Sequence, residues 1–174
     1  MPSQKATSLK ALQTAIEVED NGIITFLKFA RQKKETTGKN MFIRLAMDEH
    51  EHRRILEKQL HTFLENGQWE KIVIPPSELE RLRPSIREKQ HRTKGESGMA
   101  ELDALNTALD LEKKTATFFR EQAEVVTEPA AKDLFVRLAE WEEAHFDIIQ
   151  AELDSIQGTG FWFGIPEFQM DGKF

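Results

Sequence analysis

The chain matches itself at an offset of 93 residues, and this duplication limits what it can fold into more than any other feature does. ALQTAIEVE (11–19) falls on ALNTALDLE (104–112), and MFIRLAMDEHEH (41–52) falls on LFVRLAEWEEAH (134–145). Apolar identities such as Leu12/Leu105, Phe26/Phe119, Phe42/Phe135 and Leu45/Leu138 need only a common packing scheme. Three polar identities ask for more: Glu19 returns as Glu112, Glu49 as Glu142 and His52 as His145.

The apolar residues of each half recur at helical spacing. Helices are expected over about 8–34, 40–64, 99–126 and 130–156. Thr36-Thr37-Gly38 is read as a break, Asn66-Gly67 as a C-terminal cap, and Thr127-Glu128-Pro129 as a tight junction with Thr127 as N-cap. Residues 65–98 contain Pro75, Pro76, Pro84, Gly95 and Gly98 and read as a long crossover, with a short helix over 77–83. Lys71 to Ile74 is the one weak strand candidate, and an aromatic tail occupies 157–174. The expectation is a single all-α domain over 1–174. It is an antiparallel four-helix bundle made of helix pairs 8–64 and 99–156 joined by the crossover.

In the stretch DEHEH (48–52), only Glu49 and His52 recur; Asp48 becomes Trp141, His50 becomes Glu143 and Glu51 becomes Ala144. Residues three apart share a helix face. Leu45 lies one turn before Glu49 on the apolar stripe, and Ile55 and Leu56 lie one turn after His52. Glu142 and His145 lie likewise between Leu138 and Ile148/Ile149. Glu19 follows Ile16, and Glu112 follows Leu109. Six ionisable groups are therefore expected to face one interior. His50, His61 and His91 do not recur and read as surface or linker, and Glu17 and Asp110 read as exposed. Trp141 reads as a packing residue pointing away from the site.

Burying four carboxylates costs several kcal/mol for each uncompensated ion, and no lysine or arginine recurs on those faces to neutralise them. Divalent cations would do so, because carboxylate and imidazole ligands suit first-row metals without any thiolate. The chain has no cysteine, which excludes disulfides, thiolate iron–sulfur sites and a cysteine nucleophile. A net charge of -6 argues against general nucleic-acid binding, and the basic run over 81–94 reads as solvated linker. No apolar run approaches membrane-spanning length and the first residues lack a secretory apolar core. A cytoplasmic location, with no membrane or nucleic-acid partner, is the expectation.

With AIEVEDNGIITF and FIRLAMDEHEH in one half and ALDLEKKTATFF and FVRLAEWEEAH in the other, the chain resembles the ferritin-like di-iron carboxylate proteins, and among them the rubrerythrin family. The resemblance covers both helix pairs. It implies that Glu49 and Glu142 would bridge two iron ions, with Glu19 and His52 completing one position and Glu112 and His145 the other. Manganese or zinc could take the same ligands. Rubrerythrins commonly carry a cysteine-rich rubredoxin domain, which this chain lacks, and a further carboxylate one turn before the third-helix glutamate, where Leu109 stands. Phe26 and Phe119 stand where tyrosines are frequent, and the chain has no tyrosine at all.

The function so implied is an oxidoreductase that reduces hydrogen peroxide or dioxygen at a di-ferrous centre, in the manner of a rubrerythrin peroxidase. The alternatives are a ferroxidase or iron-handling protein, or a non-redox metal-binding protein. Electrons would come from an external donor such as a rubredoxin-type protein. Phe161, Trp162, Phe163 and Phe168 in the tail read as a cap on the bundle's apolar end or, alternatively, as a contact with a second subunit. The long crossover would let two chains exchange helix pairs, and a homodimer is the expectation.

Overall fold

A computed structural model describes residues 4–33, 36–72, 74 and 99–157. The short helix expected over 77–83, the basic run over 81–94, His91 and the tail beyond 157 lie outside the described residues. Among the described residues there are four helices: α1 (Gln4–Gln32), α2 (Thr36–Asn66), α3 (Met99–Val125) and α4 (Pro129–Gln157). There is no strand among the described residues, and Lys71, Ile72 and Ile74 carry no regular structure. The protein is an all-α, ferritin-like four-helix bundle.

Each hairpin packs first on itself, α1 against α2 and α3 against α4. The hairpins then meet through α1 with α3 and α2 with α4. The duplication is visible in the packing. Phe26 and Phe42 stack at 6.1 Å with 23° between rings, and their counterparts Phe119 and Phe135 stack at 6.1 Å and 24°.

The apolar interior forms two clusters. One contains Phe26, Phe42, Leu45, Leu105, Ile148 and Ile149. The other contains Leu12, Leu56, Phe63, Phe119, Phe135 and Leu138. Glu19 lies between Leu12 and Phe26 along α1, and Glu49 between Leu45 and Leu56 along α2. Glu112 and Glu142 interrupt α3 and α4 in the same way. A polar layer thus divides the core.

Two junctions differ from expectation. α2 begins at Thr36, so Thr36-Thr37-Gly38 is its first turn and not a break. A Cβ at Gly38 would lie 3.4 Å from the Lys33 side chain, whose ammonium sits 5.6 Å from the Phe42 ring centroid. Lys33 thus lies against the first turn of the new helix. At the start of α4 the Glu128 carbonyl accepts the first helical bond, from Lys132 N at 3.0 Å. The cap position is therefore Glu128, one residue after Thr127, and Pro129 takes the first helical position, where its missing N–H costs nothing.

Asn66-Gly67 caps α2 as expected. Gly67 has φ of 73°, and its N–H donates to Phe63 O at 2.8 Å. The chain then crosses the end of the bundle. Trp69 packs on Phe63 and edge-on to Phe135, and its indole N–H reaches Ser8 Oγ at 3.4 Å.

Candidate metal centre

α1 and α3 each bring one glutamate to the polar layer, and α2 and α4 each bring a glutamate and a histidine. Glu19, Glu112 and Glu142 are 1% exposed, Glu49 is 2%, and His52 and His145 are 0%. The structure brings together all six residues singled out from the sequence. They form two overlapping sets, Glu19, Glu49, His52 and Glu142, and Glu49, Glu112, Glu142 and His145. Within each set one ligand-type atom per residue lies within 4.8 Å of the others. Glu49 and Glu142 belong to both sets and stand between the two histidines, whose rings lie nearly parallel with centroids 5.6 Å apart.

His52 Nδ1 faces Glu49 and Glu142 oxygens at 3.0 Å and a Glu19 oxygen at 3.5 Å. His145 Nδ1 faces Glu49 at 3.2 Å and Glu112 and Glu142 at 3.8 Å. Neither nitrogen is aligned with any of these oxygens as a hydrogen-bond donor. Glu19 Oε1, Glu49 Oε2, His52 Nδ1, Glu112 Oε1, Glu142 Oε1 and His145 Nδ1 are all buried without a hydrogen-bond partner. Buried polar atoms are ordinarily satisfied. Six orphans converging on one space, all oxygens and imidazole nitrogens, fit the donor set of a pair of first-row metal ions.

The electrostatics agree. Burial pushes the Glu19 and Glu112 carboxyls well above their ordinary range, and neighbouring Glu142 and Glu49 push them further. Burial also acts on the imidazoles and would lower them. It is outweighed chiefly by Glu19 at His52 and by Glu49 at His145, so both are held well above their ordinary range. Glu142 is pushed up by burial, but the His145 and His52 rings beside it hold it below the usual carboxylate range. Unless a cation neutralises the carboxylates, this layer holds protons on its imidazoles and carboxyls. A metal would displace them.

Two neighbours were not legible in the sequence. Asp48 Oδ2 lies 3.1 Å from His145 Nε2. Trp141, which reads from the sequence as pointing away from the site, packs its ring on His52 with centroids 4.2 Å apart and is 2% exposed. Both side chains leave their own helix stripe and reach the histidine of the other hairpin, which helical spacing alone does not reveal. The close fit of α1 also has a local cause: a Cβ on Gly22 would lie 3.2 Å from Glu49 Cγ. Other expectations hold. His50, Glu17 and Asp110 are exposed, and His61 points outward toward Glu65.

A surface groove of about 450 Å³ between α3 and α4 is lined by Glu112, Ala116, Phe146 and Asp147, among others. The Arg120–Glu143 ion pair, 2.6 Å long, also lines it. It reaches the polar layer at Glu112. Among the described residues no helix is long and apolar enough to cross a membrane.

The Rubrerythrin family model matches residues 10–153, which takes in all four helices. Among solved structures, a hypothetical protein from Pyrococcus furiosus is similar at a TM-score of 0.63 and 22% identity. The match covers 84% of this chain and 88% of that one, and at this identity it speaks for the fold. A search of curated proteins returned no match. The matched span includes both helix pairs and all six residues of the polar layer, and the chain belongs to the rubrerythrin family.

Proposed function

We propose that this chain is a non-haem di-iron carboxylate oxidoreductase that reduces hydrogen peroxide, or dioxygen, in defence against oxidants. The observation that carries the reading is the pair of overlapping ligand sets sharing Glu49 and Glu142. Iron fits the donor set and the family, and manganese or zinc could occupy the same residues. Two bound iron ions would supply two electrons to an O–O bond, one from each.

The protein's own part is to hold the ions and to control what reaches them. Glu49 and Glu142 would be shared by both ions, with Glu19 and His52 holding one and Glu112 and His145 the other. The apolar clusters on either side keep bulk water out of the layer. The groove lined by Glu112 is the side from which a small oxidant would approach the layer. The electrons would return from an external donor, such as a rubredoxin-type protein, since the sequence has no cysteine for a thiolate iron–sulfur centre of its own.

Anaerobic stopped-flow mixing of the iron(II)-loaded chain tests this directly. Oxidation should be faster with stoichiometric hydrogen peroxide than with dioxygen. Sustained turnover of added iron(II), with slow peroxide oxidation, would instead identify a ferroxidase. The proposal includes a homodimer, and sedimentation returning a monomer at micromolar concentration would remove that part of it.

A further inference from the structure

The six residues of the polar layer repeat across the duplication, but the groups behind the two imidazoles do not. Asp48 and Trp141 occupy equivalent positions, each just before a shared glutamate. Asp48, on α2, crosses to α4 and places Oδ2 3.1 Å from His145 Nε2. Trp141, on α4, crosses to α2 and covers His52 with its ring at 4.2 Å. His52 Nε2 and Trp141 Nε1 are both buried without a hydrogen-bond partner.

The chemical consequence follows from the imidazole. A ring that donates Nε2–H to a carboxylate is held in one tautomer, with the Nδ1 lone pair directed inward and its basicity raised. His145 has that support. His52 has an indole in its place, which fixes the ring by packing but accepts no hydrogen bond in the ring plane.

We infer that the two cation positions are unequal, with Asp48 acting as a positioning residue that makes the Glu112/His145 position the first to fill and the tighter of the two. The Glu19/His52 position, backed by Trp141, fills second. This inference rests on the di-metal reading above. Outer carboxylate partners of metal-bound histidines contribute about 10–100-fold in affinity, and a difference of that size is expected between the two steps.

The test is calorimetric titration of the metal-free full-length chain with cobalt(II), followed in parallel by cobalt absorbance. The wild type should show two binding steps about 10–100-fold apart. Glu112→Ala should remove the tight step and Glu19→Ala the weak one. Asp48→Ala should weaken the tight step toward the weak one and leave the weak step unchanged, with Asp48→Asn intermediate. Thermal melts of the metal-free variants show whether each is folded. Asp48 is partly exposed at the helix surface, so its replacement leaves the core in place. A merged wild-type step, or Asp48→Ala weakening both steps alike, would overturn the inference while leaving two bound cations intact. No cobalt bound by the wild type would instead remove the di-metal reading itself.

Discussion

In the first hairpin Gly22 and Ile23 follow Glu19 by one turn; in the second the same places hold Thr115 and Ala116. The first hairpin ties α2 to α1 through Arg53 and Asp20 at 2.7 Å, and the second ties α3 to α4 through Arg120 and Glu143. These pairs do not occupy equivalent positions. Behind the histidines the contrast is Asp48 against Trp141. Yet the stacked phenylalanine pairs and the six inward polar residues are the same in both halves. The difference teaches where symmetry is demanded. On the di-metal reading the six central groups would serve one pair of cations together, whereas each hairpin meets its own neighbours farther out and can solve that packing separately.

The ligand residues offer the sharpest break of this comparison. Glu49→Ala or Glu142→Ala should abolish binding at both positions, because each glutamate belongs to both sets. Glu19→Ala or Glu112→Ala should leave one ion. Affinity at a lost position should fall by more than ~100-fold, since even outer partners contribute up to about that much. Elemental analysis after dialysis would distinguish loss of both ions from loss of one. If all four variants lost the same number, the shared role of Glu49 and Glu142 would be wrong.

The phenylalanine pairs test the equal part of the comparison. Phe26 and Phe119 are both 0% exposed and stack alike, so each alanine variant should lose about 3–5 kcal/mol in urea unfolding of the metal-free protein. The two losses should agree closely. A large gap between them would show that the cores of the halves are less alike than their geometry.

Gly22→Ala should have the smallest effect on stability and a selective effect on the site. The new methyl would press on Glu49 Cγ at 3.2 Å, while the helix gains up to about 1 kcal/mol from replacing glycine. Metal-free melting should change little or rise slightly, and cation binding should weaken. Unchanged binding would mean that Glu49 has room to retreat.

The fold and the six inward residues were legible because both follow from helical periodicity seen twice. Leu12, Phe26, Leu45, Phe119 and Leu138 lie on the expected stripes, and the glutamates and histidines interrupt those same stripes. The start of α2 was misread because Thr36-Thr37-Gly38 has turn-like composition, although the helix already begins at Thr36. Asp48 and Trp141 escaped notice for a related reason. Each depends on reaching a histidine of the other hairpin, far away in sequence, and on how the two hairpins sit against each other. Periodicity within one helix carries no information about that.

Everything said about function depends on two cations filling the layer between the apolar clusters. Anaerobic equilibrium dialysis of the metal-free wild type against iron(II), with iron counted per chain, measures this directly. The account predicts two ions per chain and a higher melting temperature on loading, since a ligand held only by the folded state stabilises it. Saturating iron(II) that leaves the chain empty, or holds only one ion, would contradict it.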